Sequence, residues 1–183
     1  LVLNKALDKG GFKDDDIDVM FGGDLLNQCI AGAYGLEKFD ISYMGLFGAC
    51  STIAEAMILA SAMTSYGIYN RCATVTSSHN CSAEMQFRTP LEYGGQRPPS
   101  AQWTVTGAGA LIIRRSREHE NGAAYITEAL AGRVIDAGIK DASNMGAAMA
   151  PAAANTLLRY FNHSGKKPND FDLIVTGDLG YEG

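Results

Sequence analysis

The sequence predicts an α/β fold built on a largely parallel sheet, and three observations carry that expectation. Short apolar runs alternate with longer segments of helical spacing from residue 17 to residue 77, the order of βαβ units. The stretch GLFGACST at 45–52 sets a cysteine between an apolar run and a long alanine-rich segment, which reads as a strand-to-helix turn. The stretch TGAGALII at 106–113 places small residues before an apolar run, as in a strand that packs closely against its neighbours.

Taken in order, LVLNKALDKGG at 1–11 reads as the end of a helix closed by Gly10 and Gly11. The chain opens without methionine and stops at GDLGYEG just after an apolar run, so both ends are expected to be trimmed. Asp14 to Asp16 and Asp18 form an acidic stretch without the glycine and distal glutamate of an EF-hand, and read as a solvated turn. Ile17 to Gly22 is expected as a strand, Leu25 to Tyr34 as a helix and Ile41 to Leu46 as a strand. Gly45 and Gly48 then supply tight or positive-φ backbone, and Ala49 permits close approach. From Ser51 to Tyr66 the pattern is helical, with Ser51 or Thr52 as cap. Ile53, Met57, Ala60 and Met63 share helical spacing while Ala54, Ala56 and Ala62 fill other faces, which predicts a helix buried nearly all round.

Cys72 to Ser77 is a further strand, and residues 77–103, rich in Gly, Pro and Ser, form an excursion with one helical turn. Long irregular stretches inside compact domains are usually functional. The sheet resumes from Trp103 to Arg114. Two strand-like segments around Tyr125 to Ile135, a helix from Gly146 to Phe161, a polar turn from Asn162 to Pro168 and a strand from Phe171 to Thr176 complete the reading.

Composition narrows the function classes. At 183 residues, 46% hydrophobic and 19% charged, the chain can bury one sizeable core or parts of two. Its net charge of −5 and basic runs no longer than Arg114-Arg115 or Lys166-Lys167 argue against nucleic acid as a partner. No apolar run reaches the length of a membrane span and the first residues lack a signal-peptide layout, so any membrane contact is expected to be peripheral. Cys29, Cys50, Cys72 and Cys81 form no CxxC pair and have no histidine at zinc-site spacing, which reads as free thiols in a reducing compartment without a structural metal.

Cys50 is the residue to which the chemistry points. A thiol at the start of a helix faces free backbone N–H groups and the positive end of the helix dipole, which stabilise thiolate and make a nucleophile. The same position also suits a small packing residue, and local spacing leaves both readings open. His79 follows Ser77 and Ser78 at the C-terminal end of a strand, where open α/β sheets place ligand contacts; tying its own loop is the alternative. Arg88 and Arg97, in the excursion, carry the planar fork that matches a carboxylate, or else order the loop through salt bridges. Trp103 stacks on a ligand ring or lies in the core. His119, in REHENG, and His163, in NHSGKK, read as solvated.

The motifs FGGDLLNQC at 21–29, GLFGACST at 45–52, SSHNCSAEMQFRTPLEYG at 77–94 and QRPPSAQWTVTGAGA at 96–110 resemble the stage V sporulation protein AD family of spore-forming bacteria, within the thiolase-like superfamily. The motifs cover about half of the chain and recur in order. The resemblance implies a layered α-β-α-β-α fold, of which residues 1–114 are most of the first half and residues 115–183 a linker and the opening of the second. It implies dimerisation through the edge of the first-half sheet. In the superfamily's enzymes the cysteine at the position of Cys50 takes an acyl group as a thioester, assisted by histidines or a second cysteine from the other half. The sporulation family is understood to bind dipicolinic acid and to work with membrane proteins of the same operon at the inner spore membrane.

An independent reading of the residues favours binding over turnover. Condensation needs an imidazole or second thiol beside the nucleophile, and the segment after Phe171 to Thr176 offers Gly177, Asp178, Leu179 and Gly180 instead. An aspartate there would repel an oxyanion. The expectation is a non-catalytic protein of sporulation or germination that uses Cys50, Ser51, Thr52, His79, Arg88 and Arg97 to bind dipicolinate. No cofactor is expected, and whether calcium accompanies the ligand stays open. A condensing enzyme with Cys50 as acyl acceptor, or a ligand-free scaffold for membrane partners, are the alternatives.

Overall fold

The computed structural model describes residues 1–26, 29–87, 104–116, 120, 122–141 and 144–180, with the side chains of 84–87 excepted. They fall into two compact units. The first comprises Leu1–Gln86 with Thr104–Ala129, and the second is described over residues 130–141 and 144–180.

The first unit is a four-stranded sheet with helices on both faces. Helix α1 (Val2–Gly10) buries Leu3 and Leu7, one turn apart, so only one stripe of it faces the core. Gly11 adopts φ 69, and the bonds from Gly11 N–H to Asp8 O (3.2 Å) and Phe12 N–H to Leu7 O (2.9 Å) close the helix as a Schellman motif. The expected glycine stop is therefore found. Asp14–Asp16 form a 3-10 turn in which Asp15 is exposed and its neighbours half-buried, and Asp16 Oδ2 accepts from Lys13 N–H at 2.9 Å.

Strand β1 (Val19–Asp24) is buried at every position. It pairs in parallel with β2 (Ser42–Gly45) on one side and β3 (Arg71–Ser78) on the other. Strand β4 (Gly107–Arg114) adds antiparallel to β3, and the order is β2-β1-β3-β4. Alternation along the strands divides the core. Met20, Ala73 and Val75 pack with Leu3, Leu7, Leu36, Phe39 and Ile41 on the face covered by α1 and by α2 (Ile30–Leu36). Val19, Phe21 and Cys72 pack with Ala56 and Ala60 of α3 (Thr52–Ser65) on the other. The small alanines let α3 lie close to the sheet.

Several expectations change here. Helix α2 begins at Ile30 rather than Leu25, because the Asp24 carboxylate draws the backbone N–H of Leu26 (2.7 Å) and of Gly32 (2.6 Å) toward the end of β1. Helix α3 is not buried all round: Thr52, Ala56, Ala60 and Thr64 form its single buried stripe, and Ala54 and Ala62 are exposed. The helical turn foreseen after β3 is an eight-residue helix, α4 (Asn80–Phe87). Strand β4 starts at Gly107, and Trp103 lies outside the described residues. The return to β4 is stitched by Asn80, whose N–H donates to Thr106 Oγ1 (3.0 Å) and whose Nδ2 donates to Thr104 O (2.8 Å), and by a bond from Ser78 Oγ to Val105 O.

In the second unit α5 (Met145–Ser164) is capped by Asn144, whose side chain accepts from Ala147 N–H at 3.1 Å, and ends at Gly165 with φ 71. Gly146 is required where it stands, since a Cβ there would lie 1.6 Å from Leu179 O. Tyr160, Phe161 and Phe171 pack edge to face or tilted, with centroids 5.8–6.1 Å apart. The strands expected around Tyr125 to Ile135 and from Phe171 to Thr176 are not formed. A β-branched run becomes a strand only with a ladder partner, and no described strand pairs with either segment. Val134 is fully exposed and Leu173 and Val175 are three-quarters exposed.

Candidate functional site

The three parallel strands bring their C-terminal ends to one edge of the first unit, and the candidate residues gather beyond them. Past β2 the chain turns through a 3-10 segment, Ala49–Ser51, directly into α3. The positive φ expected of Gly45 or Gly48 belongs to Ala49, at φ 48. Gly48 is needed for close packing instead, because a Cβ would meet Ser51 Oγ at 2.6 Å. Contrary to expectation, neither Ser51 nor Thr52 caps α3 through its side chain. Ser51 Oγ donates back to Gly48 O (2.7 Å), and the buried Thr52 hydroxyl accepts from Gly48 N–H (3.0 Å). Both hydroxyls are thus spent on building the turn. What the turn presents outward is Cys50, which is exposed.

His79 follows β3, is exposed, and uses its carbonyl to accept from Ala83 N–H at 3.0 Å at the start of α4. It lines a cavity of about 60 Å³ together with Asp24, Leu25, Leu26, Ala31, Ser77, Ser78 and Ala83. Cys50 is not among the residues of that cavity. Strand β1 lies between β2 and β3, so the strand ends leading to Cys50 and His79 are two strand spacings apart, roughly 10 Å. Arg88 and Arg97 lie outside the described residues, as does His119. His163 is exposed on α5, its Nδ1 2.7 Å from Arg159 O. Asp178 is exposed and accepts from Gly180 N–H at 2.9 Å.

Sequence reasoning passed over two buried residues, Asp24 and Cys29, and the half-buried Tyr43, which hold this edge together. Asp24, 3% exposed, ends β1 and gives both carboxylate oxygens to backbone N–H groups. Tyr43 Oη donates to Gly22 O at 3.0 Å, and burial, Cys29 and Asp24 raise its pKa above the ordinary phenol value. Cys29 precedes α2 with φ 55, is buried, and donates Sγ–H to Leu46 O at 2.8 Å. Burial, and next the Asp24 charge, push its thiol up. An aspartate that follows Gly-Gly at the end of an apolar strand was the available signal. Among the described residues no group of His, Cys, Asp and Glu could hold a metal ion, and no helix is long and apolar enough to cross a membrane.

The sequence profile described as Stage V sporulation protein AD matches residues 2–183. The chain belongs to this family. It is 46% identical over 177 residues to the Stage V sporulation protein AD of Bacillus subtilis strain 168, a match that covers 97% of this chain and 51% of the relative. The chain thus spans about half the length of the curated relative it matches. Among solved structures it is similar to cerulenin-bound OleA of Xanthomonas campestris (TM-score 0.73, 15% identity, covering 99% of this chain and 57% of that one). It is also similar to 3-oxoacyl-(acyl carrier protein) synthase III of Pseudomonas aeruginosa PAO1 (TM-score 0.58, 14% identity, 98% and 59% covered). The thiolase-like fold of condensing enzymes is therefore that of this sporulation protein family member, and at such identities the likeness concerns fold alone.

Proposed function

We propose that this sporulation protein is a non-catalytic member of the thiolase-like fold that binds dipicolinic acid over the C-terminal ends of β1, β2 and β3. In this reading it takes part in uptake of the acid into the spore or its release at germination. The observation that carries the reading is the grouping of the exposed Cys50 turn and the exposed His79 at one edge of the sheet, on strands that flank β1. Open α/β sheets bind ligands there, and the start of α3 would present the positive end of its dipole to a carboxylate, the Gly48, Ser51 and Thr52 N–H groups being bonded within the turn. The cavity at His79, about 60 Å³, has the volume of about two water molecules. A pyridine dicarboxylate would lie across the strand ends rather than inside it. His79, with Arg88 or Arg97, would meet the second carboxylate, and titration with and without calcium tests whether the ion accompanies the ligand. The proposed setting is the spore, peripheral to its inner membrane, with membrane proteins of the same operon as partners and a homodimer formed along an edge of the first-unit sheet.

Calorimetric titration of the protein with dipicolinate, with benzoate as the one-carboxylate control, tests this. Removal of a charge-assisted contact in His79→Ala is expected to lower affinity about tenfold to hundredfold, the equivalent of ~1.5–3 kcal/mol. Equal affinity for the two acids, or undiminished binding in both His79→Ala and Cys50→Ala, would refute the site.

A condensing enzyme is the second reading, favoured by the exposure of Cys50 immediately before α3. The test is turnover of acyl-CoA substrates. Turnover abolished by Cys50→Ala would establish catalysis, whereas acylation of Cys50 without turnover is compatible with a binder, because a reactive thiol can be acylated without a catalytic partner.

A further inference from the structure

The segment that carries Cys50 is held from behind by a residue with no place in the ligand chemistry above. Leu46 leaves β2 with its N–H donating to Gly22 O at 2.8 Å. Its carbonyl presses on β1 so closely that a Cβ at Gly23 would come within 2.1 Å of the oxygen. That same oxygen accepts the Cys29 thiol at 2.8 Å.

Cys29 reaches it from an unusual backbone. Its φ of 55 lies in the left-handed region, which residues with a side chain rarely occupy and which persists where the surroundings over-determine it. The Asp24 carboxylate supplies that determination from both sides, by accepting from Leu26 N–H before Cys29 and from Gly32 N–H after it. Sulfur is thereby delivered to a carbonyl 17 positions along the chain and only four residues before Cys50. Burial and the nearby Asp24 charge keep the thiol protonated, the form that donates.

From this geometry we infer that Cys29 is a positioning residue: its hydrogen bond to Leu46 O sets the path of residues 46–48 and with it the placement of the Cys50 turn. The inference rests on the reading of that turn as the part of the site that faces ligand.

The test reads Cys50 directly. In a Cys81→Ser background, the rate of iodoacetamide modification of Cys50 is followed by peptide mapping in the parent chain and in Cys29→Ala, Cys29→Gly and Cys29→Ser. Glycine accepts φ 55 without penalty, so that variant removes the thiol while relieving the backbone, and it keeps the test available if the alanine chain fails to fold. Loss of the hydrogen bond in the alanine and glycine variants is expected to change the Cys50 rate roughly threefold to tenfold. Serine retains a donor and is expected to return the rate toward that of the parent. Parental rates in the alanine and glycine variants, or a serine variant altered as much as alanine, would overturn the inference. Alkylation needs no ligand, so an absence of dipicolinate binding would refute the proposed function and leave this result standing.

Discussion

Replacement of Asp24 by alanine probes the strut on which the candidate site stands. The carboxylate is 3% exposed and accepts two backbone hydrogen bonds, from Leu26 N–H at 2.7 Å and Gly32 N–H at 2.6 Å. Alanine leaves both donors without an acceptor, and each unsatisfied buried donor costs about 1–3 kcal/mol. Leu26 N–H is part-buried and gains some solvent access, whereas Gly32 is buried; a total of roughly 2–4 kcal/mol is therefore expected. Asparagine keeps one acceptor oxygen and turns an NH₂ toward the other donor, so it should lose about half as much, ~1–2 kcal/mol. The assay is urea unfolding with matched m-values, supported by thermal unfolding, in which each 1 kcal/mol corresponds to about 2–4 °C for a chain of this length. An alanine variant within about 0.5 kcal/mol of the parent, or an asparagine variant as unstable as alanine, would refute the strut.

Other expectations follow from the same edge and core. Limited alkylation of the native chain should modify Cys50 and Cys81, both exposed, well before Cys29 and Cys72, both buried; early labelling of either buried thiol by mass mapping would contradict the packing. Burial and then Asp18 push the Cys72 thiol from 9.0 up to about 11. The folded chain thus holds this proton more tightly than the unfolded one, so its contribution to stability is complete below the unfolded value and is lost as pH rises through the folded one. Unfolding curves between about pH 9 and 11 should show a decline that Cys72→Ala reduces, and an identical decline in the variant would contradict the assignment. Gly23→Ala places a Cβ 2.1 Å from Leu46 O, so it should destabilise the first unit by about 1–3 kcal/mol as the backbone shifts. A neutral result by urea unfolding would mean that β1 and the Leu46 segment are less tightly apposed.

The sequence by itself determined the alternation of elements and the family. Apolar runs at Val19–Phe21 and Cys72–Val75, the helical spacing within 51–66 and the glycines at 10–11 each report a local preference, and here local preference and tertiary packing agree. It also indicated that Cys50 and His79 follow strand ends, because small residues and a break in pattern at strand ends are visible in one dimension. Tertiary structure alone decided the rest. The apolar segment Phe171 to Thr176 has the composition of a strand, yet a strand exists only when a second one completes its ladder, and composition carries no knowledge of that partner. The left-handed residue before Cys50 is Ala49 and not a glycine, held in a turn that the bonds of Gly48 with Ser51 and Thr52 close around it. Asp24 falls just before the expected helix and Cys29 within it, and nothing local marks either until the fold buries Asp24 at the end of β1 and Cys29 near it. Their hydrogen bonds then run to Gly32, eight positions away, and to Leu46, 17 positions away. Separation along the chain hides such contacts, and packing at the C-terminal edge of the sheet creates them.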